Sequence, residues 1–199
     1  LRRSGGGAGS CAAAQGGNSL IFIVIIIILL AVVVGKIRGG RFEGLADLQI
    51  QGLPWIFLAL GMRLATAFLA AKGMELTLLQ IAAYCLFAYV LWRNLKLPGM
   101  KLFALGVVLN FLVIFINGGM MPVSAQAIAA AGLPEPAGTH MLLTAETKLW
   151  FLADIIPLPV PFLARVISIG DILIYVGIFY FIQKKMLPRQ KQRKTLHFR

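Results

Sequence analysis

Residues 117–162, NGGMMPVSAQAIAAAGLPEPAGTHMLLTAETKLWFLADIIPLPVPF, form the one long stretch that is neither an apolar run nor a short connector. Apolar segments lie on both sides of it. Of the 199 residues, 59% are hydrophobic and 13% are charged. Mean hydropathy is +0.87, well above the values of an ordinary water-soluble domain. The pattern predicts an all-α membrane protein: a bundle of about five transmembrane helices, with residues 117–163 as a long structured extracytoplasmic loop between the fourth and fifth.

Upstream of the loop, the expected spans are about 20–37, 53–71, 76–92 and 102–116; downstream the fifth is 164–182. The first contains Leu20 to Val34, an unbroken run dominated by Ile and Val and close to the roughly 17 to 20 residues a spanning helix needs. Pro54 and Trp55 open the second, Pro where a first helical turn tolerates it and Trp at headgroup level. Residues 1–19 are rich in Gly, Ala and Ser without apolar periodicity and are expected to be disordered. The initial Leu in place of Met suggests a native start nearer Leu20. Residues 184–199 read as a basic cytoplasmic tail.

The formal charge of +12 comes from Lys and Arg that flank apolar runs. That is the pattern of topology signals and not of a nucleic-acid surface. The first connector holds three (Lys36, Arg38, Arg41), the second Lys72 alone, and the third Arg93, Lys96 and Lys101. The long loop holds Lys148, with Arg165 at its edge, and the tail holds seven basic residues. Because cytoplasmic loops carry the excess, the N-terminus is expected outside and the C-terminus inside. Cys11 and Cys85 form no ligand or disulfide pattern, and no cofactor or metal is expected.

Arg63 and Asp171 are the two ionisable groups set well inside apolar runs, where an unpaired charge is costly. Both would lie about 10 to 12 Å below the outer surface at 1.5 Å per residue, a shared depth that allows an ion pair between them. Asn110, Gln80 and Tyr84 would extend it into a polar cluster opening toward the loop.

In the loop, Asn117, Gly118 and Gly119 permit positive φ and a sharp turn, and their backbone N–H groups could face a ligand. SAQAIAAAGL predicts a short helix ended by Gly132, and IIPLPVPF an extended segment. Thr144 looks like the N-cap of a second helix, AETKLWFLAD, which carries Lys148 and Asp154. His140 is the one histidine outside the tail and is a candidate proton carrier. Ser124, His140 and Asp154 are the residue types of a nucleophilic triad, without the elbow motif that would make one. No catalytic residue is assigned.

The strings NGGMMPVS, His140 with LLTAETKLWFLADIIPLPVPF, and VISIGDILIYVGIFYFIQ resemble the bacterial membrane family called domain of unknown function 5317. The likeness covers roughly Leu20 to Gln183. It implies a compact protein of the bacterial cytoplasmic (inner) membrane and brings no activity with it. It also implies that Asn117, Gly118, Gly119, Pro122, His140, Thr144, Lys148, Trp150, Asp154, Pro157 and Asp171 are signature positions. Arg63 lies outside those strings.

The leading functional expectation is a non-enzymatic protein that binds a small molecule, a lipid headgroup or a partner protein at an outer-face polar site. The site would draw on Arg63, Asn110, Asn117, Gly118, Gly119, His140, Thr144, Lys148, Asp154 and Asp171. A small-solute or ion transporter subunit is the alternative. An intramembrane enzyme comes third; it would need His140 to converge with Asp154 or Asp171. The lipid bilayer is the expected surrounding, with a small-molecule ligand or a protein as partner and no nucleic acid.

Overall fold

The computed structural model describes residues 8–46, 50–70, 77–136, 139–160 and 163–187. Five long helices are α1 (Ala8–Ile37), α3 (Leu53–Ala70), α4 (Thr77–Arg93), α5 (Met100–Ile116) and α7 (Ile169–Met186). A single turn, α2 (Glu43–Ala46), lies between α1 and α3. Between α5 and α7 the chain builds a small mixed layer. It comprises β1 (Met121–Val123), α6 (Ala125–Ala131), β2 (His140–Leu142), a 3-10 turn over Trp150–Leu152, β3 (Ile156–Leu158) and β4 (Arg165–Ile167).

The central contact is α5 against α7. Gly99 and Gly106 on one side, and Gly170 and Gly177 on the other, recur about two helical turns apart and line the facing surfaces. A Cβ on Gly106 would run into the carbonyl oxygen of Gly170, and one on Gly170 into the side chain of Asn110. At Gly177 it would meet Phe103 N at 2.7 Å. Small residues thus let the two backbones touch. On its other side α7 packs on α1, with Ala31, Phe181, Ile182 and Met186 as the buried core. Gln183 donates to the carbonyl of Ala31 and accepts from Arg38 Nη1 at 3.1 Å. Arg41 N caps the Met186 carbonyl at 2.8 Å, which closes the end of α7.

Helices α3 and α4 pair with each other. Asn94 joins their ends: its amide accepts from Gln51 N at 3.0 Å and donates to the carbonyls of Gln51 and Val90, both at 2.8 Å. Much of the apolar side-chain surface on the long helices points outward, as at Leu29, Phe57, Leu64, Leu78 and Phe115. The mixed layer has its own core of Val123, Ala127, Ile128, Ala131 and Val166.

Three expectations are corrected. First, among the described residues no helix is long and apolar enough to cross a membrane, which overturns the bundle of five transmembrane helices. At 17 residues each, α4 and α5 measure about 26 Å, against roughly 30 Å of hydrocarbon. The run expected as the fifth span spends its first residues in β4, and α7 then carries Asp171, Lys184 and Lys185. In α1 the side chains are described from Phe22 onward. Second, α1 begins at Ala8, inside the stretch expected to be disordered; Ala-rich sequence extends a helix once an adjacent one has formed. Residues 1–7, the 71–76 connector and the tail from 188 lie outside the described residues.

Third, AETKLWFLAD is not a helix. Thr144 does not cap one; its N–H donates to Thr147 Oγ1 at 2.9 Å in a tight turn. Asn117 takes both backbone groups of Lys148: Lys148 N donates to Oδ1 at 3.0 Å, and Nδ2 donates to the Lys148 carbonyl at 2.9 Å. Those groups are lost to a helical ladder, and Leu149 turns left-handed at φ 52°. The short helix after Ser124 forms as α6, with Ser124 at its N-cap and Gly132 left-handed at its C-cap.

Gly170→Ala is expected to cost about 1 to 3 kcal/mol through overpacking. In a chain of this size that lowers Tm by roughly 2 to 12 °C. Gly61→Ala, where a Cβ meets nothing within 4 Å, is expected to leave Tm unchanged or slightly raised. Thermal unfolding of the two variants side by side checks the helix contact.

Candidate functional site

The site lies where the mixed layer meets the α5–α7 contact. Asp171 is not in the middle of an apolar span but in the first turn of α7. There it forms a capping box with Ser168: Ser168 N donates to Asp171 Oδ2 at 3.1 Å, and Asp171 N to Ser168 Oγ at 3.1 Å. Asn110 of α5 completes the knot, donating from Nδ2 to Asp171 Oδ1 at 2.8 Å and accepting from Ser168 Oγ at 2.9 Å. The expected convergence of Asn110 and Asp171 is therefore found. The Arg63–Asp171 pair is not addressed by it, because the side chains of Arg63 and Gln80 lie outside the described residues.

The layer contributes the second half. β1 pairs in parallel with β2, with Met121 opposite His140, and forms a further parallel bridge from Val123 to Asp154. Asp154 N donates to Pro122 O at 3.0 Å and Ser124 N to Asp154 O at 2.9 Å. Residues 121 and 123 share one face of β1, so the partners on either flank are brought together. His140 Nε2 lies 3.7 Å from Asp154 Oδ2. β3 and β4 pair antiparallel with Leu158 opposite Arg165. Val166 enters the layer core, which leaves Arg165 on the opposite face. Tyr175 follows Asp171 by one turn of α7.

Four buried polar atoms here have no hydrogen-bond partner: Asp154 Oδ1, Arg165 Nε, Arg165 Nη1 and Tyr175 Oη. Each unmade bond of this kind costs about 1 to 3 kcal/mol. Their fields overlap. Burial pushes the Asp154 carboxyl up to about 8, the Asp171 charge pushes the same way, and Arg165 partly offsets both. Burial and then Arg165 hold the His140 imidazole below its ordinary value, against Asp171. Although the His140–Asp154 distance is that of an ion pair, both groups therefore favour their uncharged forms at neutral pH. The contact is a carboxylic acid beside a neutral imidazole.

The other candidates have structural roles. Asn117 clamps Lys148, whose own side chain is exposed, and Gly118 and Gly119 take φ of 74° and 87° in the turn that follows α5. Thr144 serves its local turn. The triad types do not assemble: Ser124 Oγ accepts from Ala127 N, and His140 Nδ1 faces Thr139 Oγ1 at 3.2 Å. The sequence marks Arg165 only as a charge at the edge of the loop, and Tyr175 is not singled out there. The available signal was spacing: Ser168, Asp171 and Tyr175 recur at three and four residues, one face of a helix. Among the described residues no group of His, Cys, Asp and Glu could hold a metal ion.

The fold and site together define a helical protein in which a small mixed layer closes a polar cluster over the junction of two helices. The chain belongs to a family: residues 47–183 match the model described as "Family of unknown function (DUF5317)". It is similar to an "Uncharacterized protein" of Thermotoga maritima, 36% identical over 118 residues, covering 58% of this chain and 69% of the relative. No solved structure matches.

The raised Asp154 carboxyl sets a pH dependence. Because the folded state holds the proton more tightly than the unfolded chain, this contribution to stability is full below about pH 4. It is lost as pH rises toward 8. Asp154→Asn keeps the shape of the neutral acid. It is expected to unfold at a higher temperature than wild type at pH 9, by about 2 °C or more, with the difference shrinking toward pH 5. Thermal melts at the two pH values check it.

Proposed function

We propose that the chain is a binding protein whose cluster of Arg165, Asp154 and Tyr175, steered by His140 and the Asn110–Ser168–Asp171 knot, takes a small polar molecule. The observation that carries this reading is the set of unpaired buried polar atoms. Stability alone favours apolar side chains at such positions, since an uncompensated buried charge is destabilising. Retaining unpartnered buried atoms on three polar side chains from three segments of the chain fits groups whose partner arrives from outside. The well-satisfied Asn110 knot supports that role by holding Asp171 and the start of α7 still.

The His140–Asp154 contact favours a second reading, in which the two groups move a proton to or from the bound molecule. An imidazole and a carboxylic acid in contact can exchange one, and burial lowers the first while raising the second, which brings their affinities for the proton into one another's range or past it. No described nucleophile stands ready for covalent chemistry, so proton transfer is the limit of this reading. We further propose that the protein is associated with the bacterial cytoplasmic membrane. The support is the outward-facing apolar surface of the long helices, since contiguous exposed apolar area marks an interaction surface.

Arg165→Met tests the binding reading. It removes the guanidinium but keeps an unbranched apolar stem. The variant is expected to melt at or above the wild-type temperature and to lose the thermal shift that wild type shows with its ligand in a mixed panel of anions, cations and neutral polar molecules. A loss of more than about 3 kcal/mol, with no ligand response in wild type, would make Arg165 a purely structural residue. Fractionation of cell lysate at low ionic strength checks the location: the protein is expected to sediment with the membrane fraction, and recovery in the supernatant overturns it.

A further inference from the structure

We infer that the molecule taken by this site is a small oxyanion, a carboxylate or phosphate group bound between Arg165, Tyr175 Oη and Asp154 Oδ1. The inference rests on the binding reading above and narrows it to a ligand class.

The first argument is the count of donors. Arg165 Nε and Nη1 together carry three N–H hydrogens without acceptors, and Tyr175 offers a fourth donor. A neutral hydroxyl or amide brings one acceptor atom, which leaves most of these donors unmet. A carboxylate brings two oxygens and a phosphate three or more, and guanidinium is the side chain that matches both. Arg165 and Asp154 feel each other's charge, yet Arg165 Nε and Nη1 bond to nothing in the protein.

The second argument is the charge balance. Asp171 is the anion that could cancel Arg165, but its two oxygens already accept from Asn110 Nδ2 and Ser168 N. It also lies in the first turn of α7, where its charge offsets the positive end of the helix dipole. Among the described residues no ion pair to a carboxylate is found for Arg165. Asp154, facing His140 on β2, Arg165 on β4, and Asp171 and Tyr175 on α7, favours its acid form there, as burial and the Asp171 charge require. As an acid, Asp154 donates a hydrogen bond to the oxyanion and adds no repulsion. Once ionised, it repels it.

The test uses the full chain, with acetate, inorganic phosphate, glycerol phosphate, ammonium and glycerol as probes at equal ionic strength. Thermal shift and calorimetry read binding. Acetate, phosphate or glycerol phosphate is expected to bind, and ammonium and glycerol are not. Arg165→Met is expected to weaken binding at least tenfold and Tyr175→Phe severalfold. Affinity is expected to fall as pH rises from 7 to 9 in wild type and to stay level in Asp154→Asn, whose amide keeps the donor. Vesicles containing phosphatidylglycerol, compared with free glycerol phosphate, separate a lipid headgroup from a soluble anion.

Preference for a neutral or cationic probe, lost in Arg165→Met, overturns the oxyanion class and leaves the binding site standing. An affinity that does not change with pH in wild type overturns the role of Asp154. If no probe binds and Arg165→Met melts well below wild type, both the class and the site fail.

Discussion

One hydrogen-bonded knot holds the architecture together: Asn110 of α5 donating to Asp171 and accepting from Ser168 at the start of α7. It forms only because Gly106 and Gly170 let the two backbones meet, so that a short amide spans the gap. Glycine inside a helix is unfavourable by roughly 1 kcal/mol relative to alanine, and here that cost is offset by close packing and by full use of three polar side chains. The mixed layer enters α7 through β4, and Ser168 follows β4 directly. The position of Arg165 therefore depends on the same knot.

The contrast between two neighbouring polar groups is the clearest functional pointer. Asn110, Ser168 and Asp171 make bonds on nearly every side, whereas Arg165, Tyr175 and Asp154 leave buried donors and acceptors unmet. Networks that are fully satisfied rigidify a fold, and partly satisfied ones destabilise it unless something completes them. A rigid half beside an unfinished half is the arrangement of a preorganised site, in which the cost of holding polar groups ready is met by the fold.

Local chemistry was readable in the sequence and long-range pairing was not. Ser124 and Gly132 bracket α6 because capping acts within a few residues, and the Asn-Gly-Gly turn follows from positive φ. His140 and Asp154 could be named as polar residues of the loop, but their meeting is made by β1, which pairs with one on each edge. The helix expected after Thr144 failed because Asn117, far away in sequence, binds the Lys148 backbone, and tertiary bonds override propensity. Asp171 was expected deep in an apolar run because residues 164–168 were counted as helix. The Ser168–Asp171 spacing, a capping-box signature, marked the true start.

The Asn117–Lys148 clamp spans 31 positions and closes the intervening chain into a ring without a covalent bond. Inside that ring, length is forgiving. Residues between α6 and β2 can be added or removed at a closure cost that grows only with the logarithm of ring size. Beyond the clamp it is not. Six residues lead from Lys148 to Asp154, and one more or one fewer would turn the carboxyl to the opposite face of its bridge with β1. Natural variation in the length of this layer should therefore collect before Lys148 and be nearly absent after it.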